Sequence, residues 1–304
     1  MIDNLKPHIF IEYYFRDNGQ LLSEQTLDVR QKRKLFESYG IFNRCEKIAD
    51  TILSCVKQSI STVEVKNCHF IKKIKLSLSA NILSAGYDSA NSKVDEDGKF
   101  DPLMIYINPY NVNNEQLKPL LMHELTHAYQ DYNLRGKGLS LAGEHSKYGY
   151  RKFAPSVAEE YPVLKKKISW LLYYFDNFER SGYIAQIYGE LKNCDAVFHT
   201  INDIISYIEK TDVYDNYMYM FELSEQFENT TDAKTQNTIL SILSELKPQL
   251  SNDYKTFVKW ITLKRKRYQN KFNSVIPKIA YEVLKPSAFS NPPITYRLRD
   301  KNGN

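Results

Sequence analysis

Two histidines four residues apart, His123 and His127 in the run LLMHELTHAYQDY, constrain this chain more than any other feature of it. Residues at that spacing on an α-helix lie roughly 40° apart around the axis and about 6 Å apart along it, so both imidazoles reach one point. The flanking residues suit a helix. Asn113 or Asn114 can cap it, Glu115 opens it, Pro119 is tolerated in a first turn, and the pattern runs on to about Asn133. The strand-like piece MIYIN precedes it.

Glu124 follows the first histidine directly, where a carboxylate can address a metal-held water without being a ligand itself. This is the HExxH pattern. The residue types suit the chemistry. Neutral imidazoles leave a zinc ion its Lewis acidity, an open coordination position holds the water, and the carboxylate takes its proton as it attacks a peptide carbonyl. The reading is a zinc site on His123 and His127 with Glu124 as general base and acid, and a peptide or protein as substrate.

HELTHAYQDY resembles the active-site helix of thermolysin-like gluzincins, which carries HELTHA followed shortly by DY. The resemblance implies zinc ligation by both histidines, the proton-transfer role for Glu124, and a third ligand that is a glutamate on a later helix. It also implies an edge strand lining the cleft, where an extended peptide adds as a further strand. Residues 104–107 are expected to belong to that sheet. Beyond these few residues the chain departs from the family. Lys147 stands where the thermolysin-like third ligand falls, and no glycine or histidine follows His127 at metzincin spacing.

Glu144, His145, the pair Glu159 and Glu160, and Glu179 can each supply the third ligand. Glu179 is preferred. It follows an apolar stripe, and Gly182 and Ala185 lie on or near its helical face, where small residues let one helix approach another closely. Distant gluzincins are similar here, with Glu-x-x-Ala-Tyr matched by Glu179, Gly182 and Tyr183. His145, beside Glu144, is the alternative and suits a three-histidine site. Asp131, four residues past His127, can orient a ligand ring or equally be an ordinary surface charge. Gluzincins use a tyrosine or histidine as donor to the developing oxyanion, and by that resemblance Tyr183 is the tyrosine to consider, with an aromatic packed in a helix interface as the preferred reading of it.

The remaining composition excludes more than it proposes. A chain of 304 residues, 42% hydrophobic and 25% charged, can bury a sizeable core as one large domain or two lobes. Cys45, Cys55, Cys68 and Cys194 are scattered without a CxxC pair, which argues for free thiols over a disulfide scaffold or cysteine knuckle. A secretory leader and a membrane-length apolar run are both missing, so a cytoplasmic location is expected. The net charge of +5 does not imply a nucleic-acid partner, and the basic run KRKRYQNK at 264–271 reads as a solvated helix face. No phosphate-cradling glycine loop, GxSxG elbow or cysteine nucleophile context is present.

Spacing predicts helices within 26–61, broken at Gly40, and strands at 74–78, 82–87 and 104–107, with VDEDGKF as the turn between the last two. Leu164, Ile168, Leu171, Leu172, Phe175 and Phe178 form one helical stripe; further helices are expected near 199–210, 214–228, 233–246 and 250–273, then an irregular tail with Pro286, Pro292 and Pro293. The fold expected is α+β. A zincin-like catalytic lobe over 1–160 carries a small mixed sheet and the HExxH helix, and a mostly helical lobe over 161–304 delivers Glu179. Two competing readings are a non-catalytic zincin-fold interaction or structural protein, and a nucleic-acid-associated protease.

Overall fold

A computed structural model describes residues 29–80, 85–111, 115–141, 163–284 and 296–298. Helix α1 (Val29–Lys57) buries Cys45, Ile48, Ala49, Ile52 and Cys55, a three-and-four spacing that lines one face. It runs unbroken through Gly40, where spacing predicts two helices. Glycine inside a helix costs only about 1 kcal/mol, and burial of the α1 stripe outweighs it.

The sheet is built from alternation. Strands β1 (Thr62–Val65), β2 (Lys73–Leu78), β3 (Ala85–Tyr87) and β4 (Leu103–Ile107) follow, and β4 buries every second residue, Leu103, Ile105 and Ile107. Between β3 and β4 the expected turn is present. Asp95 accepts from the backbone of Asp97 and Lys99, and Gly98 takes a positive φ of 76°.

Helix α2 (Leu117–Arg135) carries the paired histidines. Pro119 lies in its first turn, as expected, while Gln116 occupies the capping position without a side-chain cap bond. Asn113 and Asn114 lie outside the described residues, as do Glu144, His145, Glu159 and Glu160.

The expected single stripe over 164–178 divides into α3 (Val163–Tyr174) and α4 (Asn177–Asn193). Asp176 makes the break: its backbone is extended and its side chain accepts from Phe178 N at 2.6 Å, capping α4. Four more helices follow: α5 (Ile201–Ile208), α6 (Asp212–Glu228), α7 (Ala233–Leu246) and α8 (Tyr254–Leu284). Helix α8 continues past 273 and through Pro277, because Phe272, Val275, Ile276, Ile279 and Ala280 keep its buried stripe going. Within the basic run, Arg265 pairs with Glu225 and Glu228 of α6, and Lys264 lies over the Trp260 ring.

The tail is not wholly irregular. Strand β5 (Tyr296–Leu298) pairs antiparallel with β1, because the edge of β1 offers unpaired backbone groups to any extended segment. Among the described residues this makes one five-stranded mixed sheet in the order β3-β4-β2-β1-β5, with only β2 and β4 parallel. The molecule is α+β. No described helix is long and apolar enough to cross a membrane, and all four cysteines are free.

Helix α2 is fastened to the edge of this sheet by Asp131, whose side chain is fully buried. It accepts from the Tyr87 hydroxyl, from Ser89 Oγ at 2.8 Å, from Arg135 Nε at 3.0 Å and from Leu141 N. Arg135 also reaches Ser89 O at 2.7 Å and lies over the Phe100 ring. Removing one partner of a buried ionic cluster leaves the others uncompensated. Asp131→Ala is therefore expected to lower unfolding free energy by about 3 kcal/mol or more, measured by urea denaturation.

Candidate metal centre

Glycine decides how near α4 comes to α2. A Cβ on Gly182 would stand 2.6 Å from His123 Nε2, and one on Gly189 would stand 2.8 Å from Met122 Sδ and 3.0 Å from Pro119 Cα. Seven residues apart, these glycines lie on one face of α4 two turns apart and let the helices close. Ala185, between them, is fully buried.

That approach carries Glu179, in the first turn of α4, to the two histidines of α2. His123 Nε2 and His127 Nε2 are 3.0 Å apart. Glu179 Oε2 lies 3.4 Å from His123 Nε2, and Glu179 Oε1 lies 3.6 Å from His127 Nε2. All three residues are buried, and this is the group of potential ligands found among the described residues. The fold thus brings Glu179, the glutamate preferred from the sequence, beside the histidine pair.

The geometry can be tested against an ion. Zinc bonds to nitrogen and oxygen of about 2.0–2.2 Å in a tetrahedron put neighbouring donors about 3.3–3.6 Å apart. The three separations of 3.0, 3.4 and 3.6 Å surround that range. Glu179 Oε2 is also buried without a hydrogen-bond partner, an orphan that a cation would satisfy. Two imidazoles and a carboxylate form a donor set suited to zinc. The residues fit.

Gln130 decides which nitrogen of His127 is available. Its Nε2 donates to Phe178 O at 3.3 Å, which turns its Oε1 toward His127 Nδ1 at 2.9 Å. Nδ1 must then carry a hydrogen, so the lone pair of the neutral ring sits on Nε2, facing Glu179 and His123. Burial alone would push His127 down, but Glu179, with Glu124 and Gln130, more than reverses this and holds it at about 9. Burial opposes ionisation of Glu179, and the two imidazoles more than offset it, keeping its carboxyl well below the usual range. The pocket draws positive charge to its centre.

Glu124 lies about 100° round α2 from His123, toward the sheet. Its Oε2 accepts from Tyr87 N at 2.8 Å. Tyr87 can donate there because Asp88 N bonds to Met104 O, so the alternating ladder turns the backbone of Tyr87 away from β4 and toward the outer side of β3. The strand beside the Glu124 carboxylate is thus β3, at the edge of the sheet among the described residues, with β4 one place inward.

The structure separates the roles left open for Asp131 and Tyr183. Asp131 does not touch a histidine; it belongs to the β3 fastening, and Gln130 supports His127 instead. Tyr183 packs edge-on against His123, centroids 4.9 Å apart, and its hydroxyl is engaged by Tyr174. Tyr173 is the tyrosine that hydrogen-bonds Glu179 and feels the charge of Glu124; burial and then Glu179 push its hydroxyl well above the ordinary range. Its signal in the sequence was only its place in the YY pair that closes α3.

These features define an α+β protein with a buried two-histidine, one-glutamate centre beside a sheet edge. No known protein family, curated protein or solved structure matches the chain. Because His123 fills the space above Gly182, Gly182→Ala is expected to destabilise the fold by about 1–3 kcal/mol, as overpacking does. Chemical denaturation measures the loss, and a crystal structure of the variant is expected to show the His123 ring turned from Glu179.

Proposed function

We propose that this protein is a zinc-dependent peptidase of gluzincin-like type, with His123, His127 and Glu179 holding the ion. The observation that carries the reading is the convergence of three buried donors with Glu124 presented one residue along from His123. Bound there, zinc would supply Lewis acidity to a scissile carbonyl and to a water.

This chain's own residues do the rest. Glu124 holds and moves the proton: it takes one from the attacking water and passes it to the leaving amine. Tyr87 N–H keeps the Glu124 carboxylate pointed along the sheet edge. Tyr173 and Gln130 hold Glu179 and His127 in orientation. The outer edge of β3 is where an extended peptide would add as a strand, the placement that the resemblance of HELTHAYQDY implies.

A second reading has one observation in its favour: His127 and Glu179 can stand as a buried ion pair with a purely structural role. Metal binding and turnover separate the two. Zinc at about 100 times its dissociation constant is expected to stabilise the protein by about 2.7 kcal/mol, and His127→Ala is expected to abolish this shift. Glu124→Gln, loaded with zinc, is expected to cleave an unfolded protein substrate about 10²–10⁴-fold more slowly than the native chain. A zinc-loaded Glu124→Gln variant that cleaves at the native rate would sink the peptidase reading.

A further inference from the structure

Helix α8 holds more positive charge than the chain as a whole. It carries eight lysines and arginines and one glutamate, against a net charge of +5 for all 304 residues. Its apolar stripe is turned to the core, which leaves cations on the outer face. Lys259, Lys266, Arg267 and Lys271 are exposed there. At 100° and 1.5 Å per residue they share an arc of about 140° and span about 18 Å of the axis.

These four residues make no ion pair and no side-chain hydrogen bond among the described residues. The carboxylates close to α8 are engaged by other groups. Glu225 and Glu228 of α6 hold Arg265, Asp253 accepts from Thr256 N and Oγ1, and Asp176 accepts from Phe178 N.

Arg180 of α4 adds to the excess. Its Nε is buried with no hydrogen-bond partner among the described residues. Burial opposes its charge, Tyr268 and Asp176 support it, and Arg267 works against it. Lys271 is pushed below the ordinary lysine range, first by desolvation and then by Arg180. Cations that repel one another across a surface are relieved by a shared polyanion.

The make-up of the face selects which polyanion. Protein interfaces deplete lysine and bury an apolar centre. Three of the four cations here are lysine, and the arc between them holds only Leu263 and Asn270 as further exposed residues. Helices that lie on lipid turn an apolar face to it, whereas α8 buries Phe257, Ile261, Tyr268 and Phe272 in the core. Single strands are held by aromatic stacking platforms. Trp260 offers none, since it packs against Phe175 and Phe257 with the ammonium groups of Lys247 and Lys264 over its ring. A duplex, a stiff rod with one phosphate charge for about every 1.7 Å of axis, needs cations alone.

We propose that the outer face of α8 binds the phosphate backbone of a nucleic-acid duplex through Lys259, Lys266, Arg267 and Lys271, with Arg180 beside them and no reading of base sequence. The surface goes beyond the proposed hydrolysis and does not depend on it.

Fluorescence anisotropy of the full chain with a labelled DNA duplex tests this. Four phosphate contacts are expected to give a slope of log affinity against log salt of about −3.6, roughly a hundredfold loss between about 50 and 200 mM. Lys259→Gln, Lys266→Gln, Arg267→Gln and Lys271→Gln combined are expected to weaken binding at the lower salt by about tenfold or more and to flatten the slope by about 3. A charge-matched control at exposed lysines of other elements, Lys57→Gln, Lys66→Gln, Lys210→Gln and Lys234→Gln combined, is expected to cost about twofold or less. Should the first variant fail to fold, Lys271→Gln alone is expected to flatten the slope by about 0.9. No binding at the lower salt, equal weakening by the control, a slope untouched by the α8 substitutions, or tighter binding of a single strand, poly-L-glutamate or phosphatidylserine vesicles overturns the proposal. Titration with and without zinc, and with Glu124→Gln, keeps it apart from the peptidase reading, since duplex binding is expected in all three.

Discussion

Everything at the centre of this molecule depends on the absence of one side chain, at Gly182. Without a Cβ there, α4 can lie against the His123 ring, and Glu179, one turn earlier, arrives within reach of both imidazoles. Two further contacts hold the approach. Gly189 admits the backbone of Pro119 and the Met122 side chain two turns on, and the Gln130 amide bridges from His127 to Phe178 O beside Glu179. A carboxylate in the first turn of a helix is also favoured by the positive end of the helix dipole, so Glu179 sits where α4 itself helps keep it charged.

Helix α2 serves three surroundings at once, and its 100° step per residue separates them. His123 and His127 face α4. Glu124 and Asp131 face the sheet, where Tyr87 binds both, its backbone N–H to Glu124 and its hydroxyl to Asp131. Thr126, Gln130 and Asn133 face a cavity among the helices. Gln130 belongs to two of these surroundings, since it lines the cavity and also bonds His127. Moving α2 therefore disturbs part-buried polar contacts on more than one of its faces.

The local patterns were legible wherever they were complete within one element. HELTH at helical spacing, Pro119 confined to a first turn, the alternation of β4 and the Asp95–Gly98 turn each express a preference that neighbouring residues settle among themselves. Glu179 was legible for a related reason: Gly182 and Ala185 mark a face on which α4 can come close to a partner. The stripe that ran on through Phe175 and Phe178 concealed the break at Asp176, because a cap and a stripe obey different rules.

What the sequence alone determined is therefore the paired imidazoles, the adjacent carboxylate and the small-residue face that admits a third donor. Tertiary structure alone decided the rest. Tyr173 reaches Glu179, Gln130 in place of Asp131 supports His127, β3 is the edge strand among the described residues, and β5 returns from the far end of the chain to pair with β1. Each of these joins residues from separate elements, and no spacing along the chain records a distance that only packing creates.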